Sequence, residues 1–274
     1  MIGQKQVLKQ IDNLIEKGFP RFVIITGQKG QGKTELVKYI SKKLKYSLVE
    51  FGIKIDEIRE MIEIAYKQTE PIIYLIQNAD KMSINAQNSL LKLVEEPPQQ
   101  AFIIMELQQI ENTLETIKSR CQEIKVEMYS ELEIEEMINI IKSVSTEEKN
   151  IIKKVAENYY QIEKLIEYNP LDFLTYVDKV YRNIYKVQSA NSFKIGEKLD
   201  LKDTGEGYSL DLFWNMYVYI SWKNMTEDNL RDWHIIAGCI YITAKFIQKL
   251  NINGINKNSL FDIWILSIRK EWLK

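Results

Sequence analysis

Gly27-Gln28-Lys29-Gly30-Gln31-Gly32-Lys33-Thr34 spells the pattern G-x-x-x-x-G-K-T of a phosphate-binding P-loop. An apolar run at residues 22–25 precedes the stretch and a helical pattern at residues 35–45 follows it, which are the strand and helix that such a loop requires. Glycines let the backbone turn tightly enough to aim N–H groups at a polyphosphate, and the helix presents its positive dipole end there. The stretch therefore predicts a polyphosphate site between a strand and a helix.

The loop supplies the predicted nucleotide-binding residues, which are Gly27, Gly30, Gly32, Lys33 and Thr34. Lys33 would reach the β- and γ-phosphates of the nucleotide, and Thr34 would reach a Mg²⁺ ion. The expected cofactor is ATP or ADP, with Mg²⁺ held through Thr34. No metal site built from protein side chains alone is predicted.

Composition indicates an ordinary globular protein. The chain has 274 residues, enough for two or three domains, and is 45% hydrophobic and 27% charged. Its 37 Lys and Arg residues nearly cancel its 38 Asp and Glu residues, which leaves a net charge of −1. The whole chain therefore has no electrostatic attraction to nucleic acid or lipid, and any DNA contact must be local or shared with partner subunits.

Cysteine usage and hydropathy suggest a cytoplasmic location. The two cysteines, Cys121 and Cys239, lie far apart without C-x-x-C spacing, so neither a disulfide framework nor a zinc site is predicted. The first residues lack a long apolar core, and no run of 18 apolar residues occurs. We therefore expect neither a signal peptide nor a membrane span.

Strand and helix patterns alternate through the first 125 residues. The continuous apolar run at residues 72–76 is typical of a strand buried on both faces of a parallel sheet. Such alternation predicts a βαβ domain with a parallel sheet. Strands are predicted at residues 22–25, 46–51, 72–76 and 102–105, and helices at residues 4–17, 35–45, 56–68, 112–118 and from Ser83 to Pro97.

Beyond Lys125 the patterns favour helices. No glycine occurs between Gly52 and Gly196 and no proline after Pro170, which favours long helices. A polar loop is predicted at residues 188–209, and all five tryptophans fall in the helices after it. Such aromatic helices are either packed core or partly a subunit interface. Helices are predicted at residues 131–142, 147–160, 210–222, 230–250 and 259–272.

The residues that follow the third predicted strand, at 72–76, differ from those of an active P-loop ATPase. P-loop ATPases need an acidic pair at the end of this strand, one carboxylate for Mg²⁺ and one to orient the attacking water. Here the strand ends in Gln77-Asn78, and Asp80 comes three residues too late. Neutral amides are poor general bases and weak magnesium ligands. Efficient ATP hydrolysis by this chain alone is therefore not expected.

Several ordered motifs carry a family resemblance: YLIQNADKM at residues 74–82, NSLLKLVEEPP at 88–98 and TIKSRCQ at 116–122, supported by IGQ at 2–4 and IDEIRE at 55–60. Together they resemble the bacterial clamp-loader AAA+ family, most closely its delta-prime subunits of DNA polymerase III. The resemblance covers about residues 1–125. The last hundred residues match only in being helical.

The resemblance implies a role for Arg120. In this family the Ser-Arg-Cys motif carries an arginine that reaches the nucleotide site of the neighbouring subunit, so Arg120 is the candidate arginine finger in trans. A fixed guanidinium stabilises charge on the transferring phosphoryl group. The alternative is that Arg120 pairs with a carboxylate on the surface of its own domain.

A further departure from the pattern of the family's motor subunits also indicates weak ATP hydrolysis, as Gln77-Asn78 does. The sensor position after the strand at 102–105, where motor subunits place a polar residue, is expected to hold Leu107. The four-cysteine zinc module, which the family's motor subunits and many of its delta-prime subunits carry, is also absent and does not distinguish the two. The resemblance thus implies a subunit of a DNA polymerase III-type holoenzyme whose own ATPase is weak or absent.

By resemblance, the fold is an α/β P-loop (AAA+) domain with a parallel sheet at residues 1–125, a small helical lid at 126–170 and an all-α collar at 171–274. The implied partners are other clamp-loader subunits in a hetero-oligomer, a sliding clamp indirectly, and primer–template DNA through the complex. Two other functions stay open: an active AAA+ motor, indicated by the intact P-loop, and a nucleotide-gated protein-interaction module outside replication.

Overall fold

The structure is a computed structural model that describes residues 3–141, 144–186, 195–202, 204–227, 232–250, 252 and 254–273. The chain divides into two units, Met1–Glu133 and Ile134–Lys274. The first contains the P-loop and the sheet, and the second consists mainly of helices. Three predictions extend outside the described residues: the helix end at residue 142, the helix start at 230, and positions 188–194 and 203 of the polar loop.

A parallel sheet of five strands forms the centre of the N-terminal unit. Its strands are β1 (Phe22–Thr26), β2 (Ser47–Phe51), β3 (Ile72–Ile76), β4 (Ala101–Leu107) and β5 (Gln122–Lys125). The order across the sheet is β2-β3-β4-β1-β5, with every neighbouring pair parallel. Every residue of β1 and β4 is buried, as their apolar runs predict for central parallel strands.

Helices cover both faces of this sheet. In the N-terminal unit they are α1 (Lys5–Lys17), α2 (Lys33–Leu44), α3 (Ile55–Lys67), α4 (Ile84–Glu95) and α5 (Glu115–Lys118). The start of α4 follows its sequence signal, because the Ser83 hydroxyl accepts a hydrogen bond from the Ala86 N–H at 3.2 Å. Among the described residues, no helix combines the length and the hydropathy that crossing a membrane requires.

The two faces of the sheet bury separate hydrophobic clusters, because successive side chains of a strand point to opposite sides. Phe102 and Ile104 of β4 belong to the cluster that contains the buried residues of α1 and α2. Ile103, Met105 and Leu107 belong to the cluster that contains the buried residues of α3 and α4. This alternation determines which side chains of β4 face the helix that follows the P-loop.

The C-terminal unit packs helices around aromatic side chains. In the part of the chain that the structure describes, the further helices include α6 (Glu131–Ile141), α7 (Thr146–Val155), α8 (Tyr159–Tyr168), α9 (Pro170–Asn183), α10 (Leu210–Glu227), α11 (Trp233–Lys249) and α12 (Lys257–Trp272). Trp214 and Trp264 are fully buried, and the Trp264 indole N–H donates to the Thr243 hydroxyl at 3.0 Å. Trp222 and Trp233 are 51% and 42% exposed. The tryptophans are therefore divided between core and surface.

The structure confirms the α/β P-loop fold with a parallel sheet followed by helices, and corrects two details. The edge strand β5 was not predicted, because only Ile124 of its four residues is buried. The helix predicted at residues 147–160 is interrupted after Val155. A new helix begins there because the Asn158 side chain accepts a hydrogen bond from the Gln161 N–H at 3.0 Å.

Candidate functional site

The P-loop connects β1 to α2 at the carboxyl end of the sheet. The Gly27 N–H donates to the Leu107 carbonyl at 3.1 Å, which ties the start of the loop to the end of β4. Gly30 and Gly32 both have φ of 83°, a left-handed conformation that favours glycine. Gly27, Gly30, Gly32, Lys33 and Thr34 therefore lie in one loop at the N-terminus of a helix.

Gln31 occupies the interior of this loop. Its side chain is buried, and its Oε1 accepts the Gln28 N–H at 2.7 Å. Its carbonyl accepts a hydrogen bond from the Tyr129 hydroxyl at 2.9 Å. In this conformation the Gln31 side chain occupies the Gln28 N–H, which is a backbone donor of the phosphate-binding loop. Sequence reasoning missed Gln31, because the P-loop pattern leaves its position unspecified.

Lys33 folds back onto the loop. Its ammonium donates to the carbonyls of Gly27 at 2.6 Å and Gln28 at 2.9 Å. Burial lowers the pKa of Lys33, and the nearby carboxylates of Glu106 and Asp80 oppose that effect. Reaching a phosphate would require the ammonium to exchange these two carbonyls for phosphate oxygens.

Thr34 meets a buried carboxylate. Its hydroxyl donates to Glu106 Oε2 at 3.1 Å, and Glu106 is only 5% exposed. Glu106 lies on β4, level with Ile25 of β1 and on the same face as Phe102 and Ile104. Burial raises the pKa of Glu106, whereas the Thr34 hydrogen bond and the Lys33 charge act in the opposite direction.

Sequence reasoning missed Glu106 and considered Leu107 instead. The side chain of Leu107 belongs to the cluster on the opposite face of the sheet. Glu106 of β4 instead accepts a hydrogen bond from Thr34, in the first turn of the P-loop helix. Its signal in the sequence was a single charge within an otherwise apolar buried strand, which is unfavourable unless the charge is paired.

The residues after β3 have other partners. The Gln77 side-chain amide donates to Glu50 Oε2 at 3.2 Å, and Asn78 has a left-handed φ of 52° where a short helical turn begins. Asp80 is 8% exposed, and its Oδ1 accepts the Gln108 N–H at 3.2 Å. Asp80 thus fastens the segment after β3 to the segment after β4.

Arg120 lies just after α5, outside the loop. Its guanidinium donates to the Thr116 carbonyl at 3.0 Å and lies 3.4 Å from Glu95 Oε1. The side chains of this ion pair are 44% and 53% exposed. A surface pair of this kind contributes about 0–1 kcal/mol, so the guanidinium is weakly held. The adjacent Cys121 is not a reactive thiol, because burial raises its pKa to about 12.

The parallel sheet, its strand order and the P-loop between β1 and α2 define a P-loop domain of the AAA+ class. Comparison with known proteins narrows this class. The family model described as DNA polymerase III, delta subunit, matches residues 47–130. The chain is 29% identical over 191 residues to the DNA polymerase III subunit gamma of Buchnera aphidicola subsp. Schizaphis graminum, covering 58% of this chain and 50% of that protein.

Two further matches agree. The chain is 32% identical over 93 residues to the DNA polymerase III subunit delta' of Bacillus subtilis, covering 34% of this chain and 28% of that protein. A DNA polymerase III gamma subunit-related protein from Thermotoga maritima has the same fold, with a TM-score of 0.52 at 17% identity over 96% of this chain and 99% of that one. These matches support the resemblance to the clamp-loader AAA+ family. The chain's match spans about half the length of the gamma relative.

Proposed function

We propose that this chain is a delta-prime-like clamp-loader subunit that binds a nucleotide without efficient hydrolysis and supplies Arg120 to a neighbouring motor subunit. The observation that carries this proposal is the end of β3, where Gln77-Asn78 stand in place of an acidic pair. The neighbours would be other clamp-loader subunits, and the assembly would place a sliding clamp on primer–template DNA.

Nucleotide binding is supported by the geometry of the loop. Gly30 and Gly32 adopt the left-handed backbone that a tight phosphate loop uses, and Lys33 and Thr34 begin the helix behind it. ATP or ADP would have to displace the Gln31 amide from the Gln28 N–H and draw Lys33 away from its two carbonyls. The expected partner of Thr34 is the Mg²⁺ ion of the nucleotide.

Weak hydrolysis follows from the chemistry after β3. An amide cannot accept a proton from the attacking water, and the Gln77 amide already donates to Glu50. Asp80 accepts a backbone N–H of the segment after β4, so it holds the fold there. Nucleotide binding with slow turnover is therefore expected of the isolated chain.

The proposed role of Arg120 is supported by its exposure and its weak ion pair. A guanidinium that is 44% exposed can exchange Glu95 for the phosphates of a nucleotide bound to another subunit at little cost. The relatives named gamma and delta' are themselves subunits of DNA polymerase III. We also propose that residues 126–170 act as the lid and residues 171–274 as the collar.

The test is reconstitution of the clamp loader with Arg120→Ala. The ATPase of the complex should fall by about 10³-fold or more if the arginine acts as fingers do elsewhere, while assembly is unchanged. The matched control is Arg59→Ala, which removes another exposed arginine that lies 4.0 Å from a carboxylate of the same unit. Unchanged ATPase in an assembled Arg120→Ala complex would overturn the finger role.

A second candidate function is an active motor, and the buried Glu106 beside Thr34 favours it, since this places a carboxylate at the P-loop. Rapid ATP turnover by the isolated chain, abolished by Lys33→Ala, would decide for a motor. Slow turnover together with measurable nucleotide binding would decide for the proposed subunit.

A further inference from the structure

Glu106 is a buried carboxylate whose two oxygens differ in their hydrogen bonding. Its Oε2 accepts the Thr34 hydroxyl, whereas its Oε1 is buried without a hydrogen-bond partner among the residues that the structure describes. A carboxylate inside a protein is unfavourable unless both oxygens are satisfied by donors or cations. No other residue of β4 is charged, so packing alone does not explain a carboxylate here.

The fold directs this side chain at the P-loop. β4 pairs with β1, and Glu106 stands opposite Ile25, two residues before the loop begins. Side-chain alternation places it on the face covered by α1 and α2. Thr34, in the first turn of α2, is its direct contact.

A threonine hydroxyl and a carboxylate oxygen are ligands that suit a hard divalent cation. Mg²⁺ takes few protein ligands and fills its shell with water and with phosphate oxygens of the substrate. Glu106 and Thr34 therefore fit a cation that arrives with a polyphosphate. Directly after β3 come the amides of Gln77 and Asn78, and the Asp80 carboxylate that follows them accepts the Gln108 N–H.

We propose that Glu106 holds the divalent cation of a nucleotide bound in the P-loop, together with Thr34, and thereby replaces the carboxylate missing after β3. This inference rests on the proposed nucleotide binding. In this chain the carboxylate of the cation site would therefore lie on β4 and not after β3. Strand β4 pairs directly with β1, the strand that leads into the P-loop.

The experiment titrates the purified full chain with fluorescent mant-ADP, once with Mg²⁺ and once with EDTA. Wild type should bind about tenfold more tightly with Mg²⁺ than with EDTA, the lower end of the loss that removing a supporting group causes at a metal site. Glu106→Gln should lose that gain and keep the affinity measured in EDTA. The control Glu123→Gln should behave as wild type, although it also removes a carboxylate that accepts a threonine hydroxyl, that of Thr26 at 2.8 Å.

The outcomes separate the two proposals. Absence of mant-ADP binding by wild type in either buffer overturns nucleotide binding, and this inference with it. Equal wild-type affinity in both buffers, or a full Mg²⁺ gain in Glu106→Gln, overturns only the role of Glu106. Tighter Mg²⁺-dependent binding by Glu106→Gln also overturns it, since the carboxylate would then oppose the nucleotide. Should Glu106→Gln fail to fold, Glu106→Asp decides instead, because its shortened carboxylate should reduce the Mg²⁺ gain.

Discussion

At the residue scale, hydrogen bonds within the loop occupy two donors that a nucleotide would use. The Gln28 N–H donates to the Gln31 side chain, and the Lys33 ammonium donates to the carbonyls of Gly27 and Gln28. These three backbone groups of the loop are therefore satisfied by side chains of the loop itself, as buried backbone requires. A bound nucleotide would replace these hydrogen bonds and not add to them. Its affinity therefore reflects the difference in free energy between the hydrogen bonds within the loop and those to the nucleotide.

This exchange predicts the effect of Lys33→Ala. A hydrogen bond to a charged group contributes about 1.5–3 kcal/mol, which corresponds to a loss of about 10- to 150-fold in mant-ADP affinity. The control is Lys38→Ala on the same helix, where the ammonium is exposed and pairs with Glu35 at 2.7 Å. Affinity that falls equally in both variants would mean that the general charge of α2, not a contact of Lys33, attracts the nucleotide.

At the element scale, the start of α6 is fastened by one carboxylate. Glu133 Oε2 accepts the N–H and the hydroxyl of Ser130 at 2.9 Å each, and its Oε1 accepts the Gln4 N–H at 2.8 Å. This capping box therefore joins the N-terminal segment of the chain to the helix that follows the sheet.

The same carboxylate gives a pH prediction. Burial raises the pKa of Glu133, but the hydrogen bonds from Ser130 and Gln4 outweigh it and leave the pKa below its ordinary value of 4.5. Stability from this group is therefore present above that value and lost as the pH falls through the lowered pKa. Glu133→Gln should reduce the free energy of unfolding by about 1 kcal/mol at pH 7, with the difference vanishing in acid.

Urea unfolding of both proteins across the acid range measures this difference. Glu136→Gln is the control, because its carboxylate lies on the same helix and no hydrogen bond or ion pair is described for it. If the free energy of unfolding of Glu133→Gln stays below that of wild type by the same amount down to low pH, the charge of Glu133 is not the cause of the lost stability.

Elements of the core could be predicted from sequence and the polar contacts of the site could not. Apolar runs predicted β1, β3 and β4 to within two residues, since burial on both faces leaves a continuous pattern. The edge strand β5 lacks that pattern. The contact between Glu106 and Thr34 joins residues 72 positions apart, and it depends on strand order and side-chain alternation that no local pattern contains.

At the scale of the whole molecule, the five tryptophans all lie in the C-terminal unit. The surroundings of each tryptophan determine whether it is packed in the core or available at the surface. The ring of Trp264 lies within 6.0 Å, between centroids, of Phe213, Tyr217 and Trp214, on helix α10. It also stacks on Phe261 of its own helix. Trp264 is thus a central packing residue between α10 and α12.

The last prediction compares this core tryptophan with a surface one. Trp264→Ala should lower the free energy of unfolding by about 3–5 kcal/mol, because it leaves a large cavity and strips the Thr243 hydroxyl of a partner. Trp222→Ala, at a side chain that is 51% exposed, should change it by less than about 1 kcal/mol. Urea unfolding followed by far-UV circular dichroism measures both without relying on the fluorescence that the substitutions remove. A loss in Trp264→Ala as small as that expected of Trp222→Ala would mean that the packing of α10 against α12 does not depend on Trp264, and that the stability of the helical unit arises elsewhere.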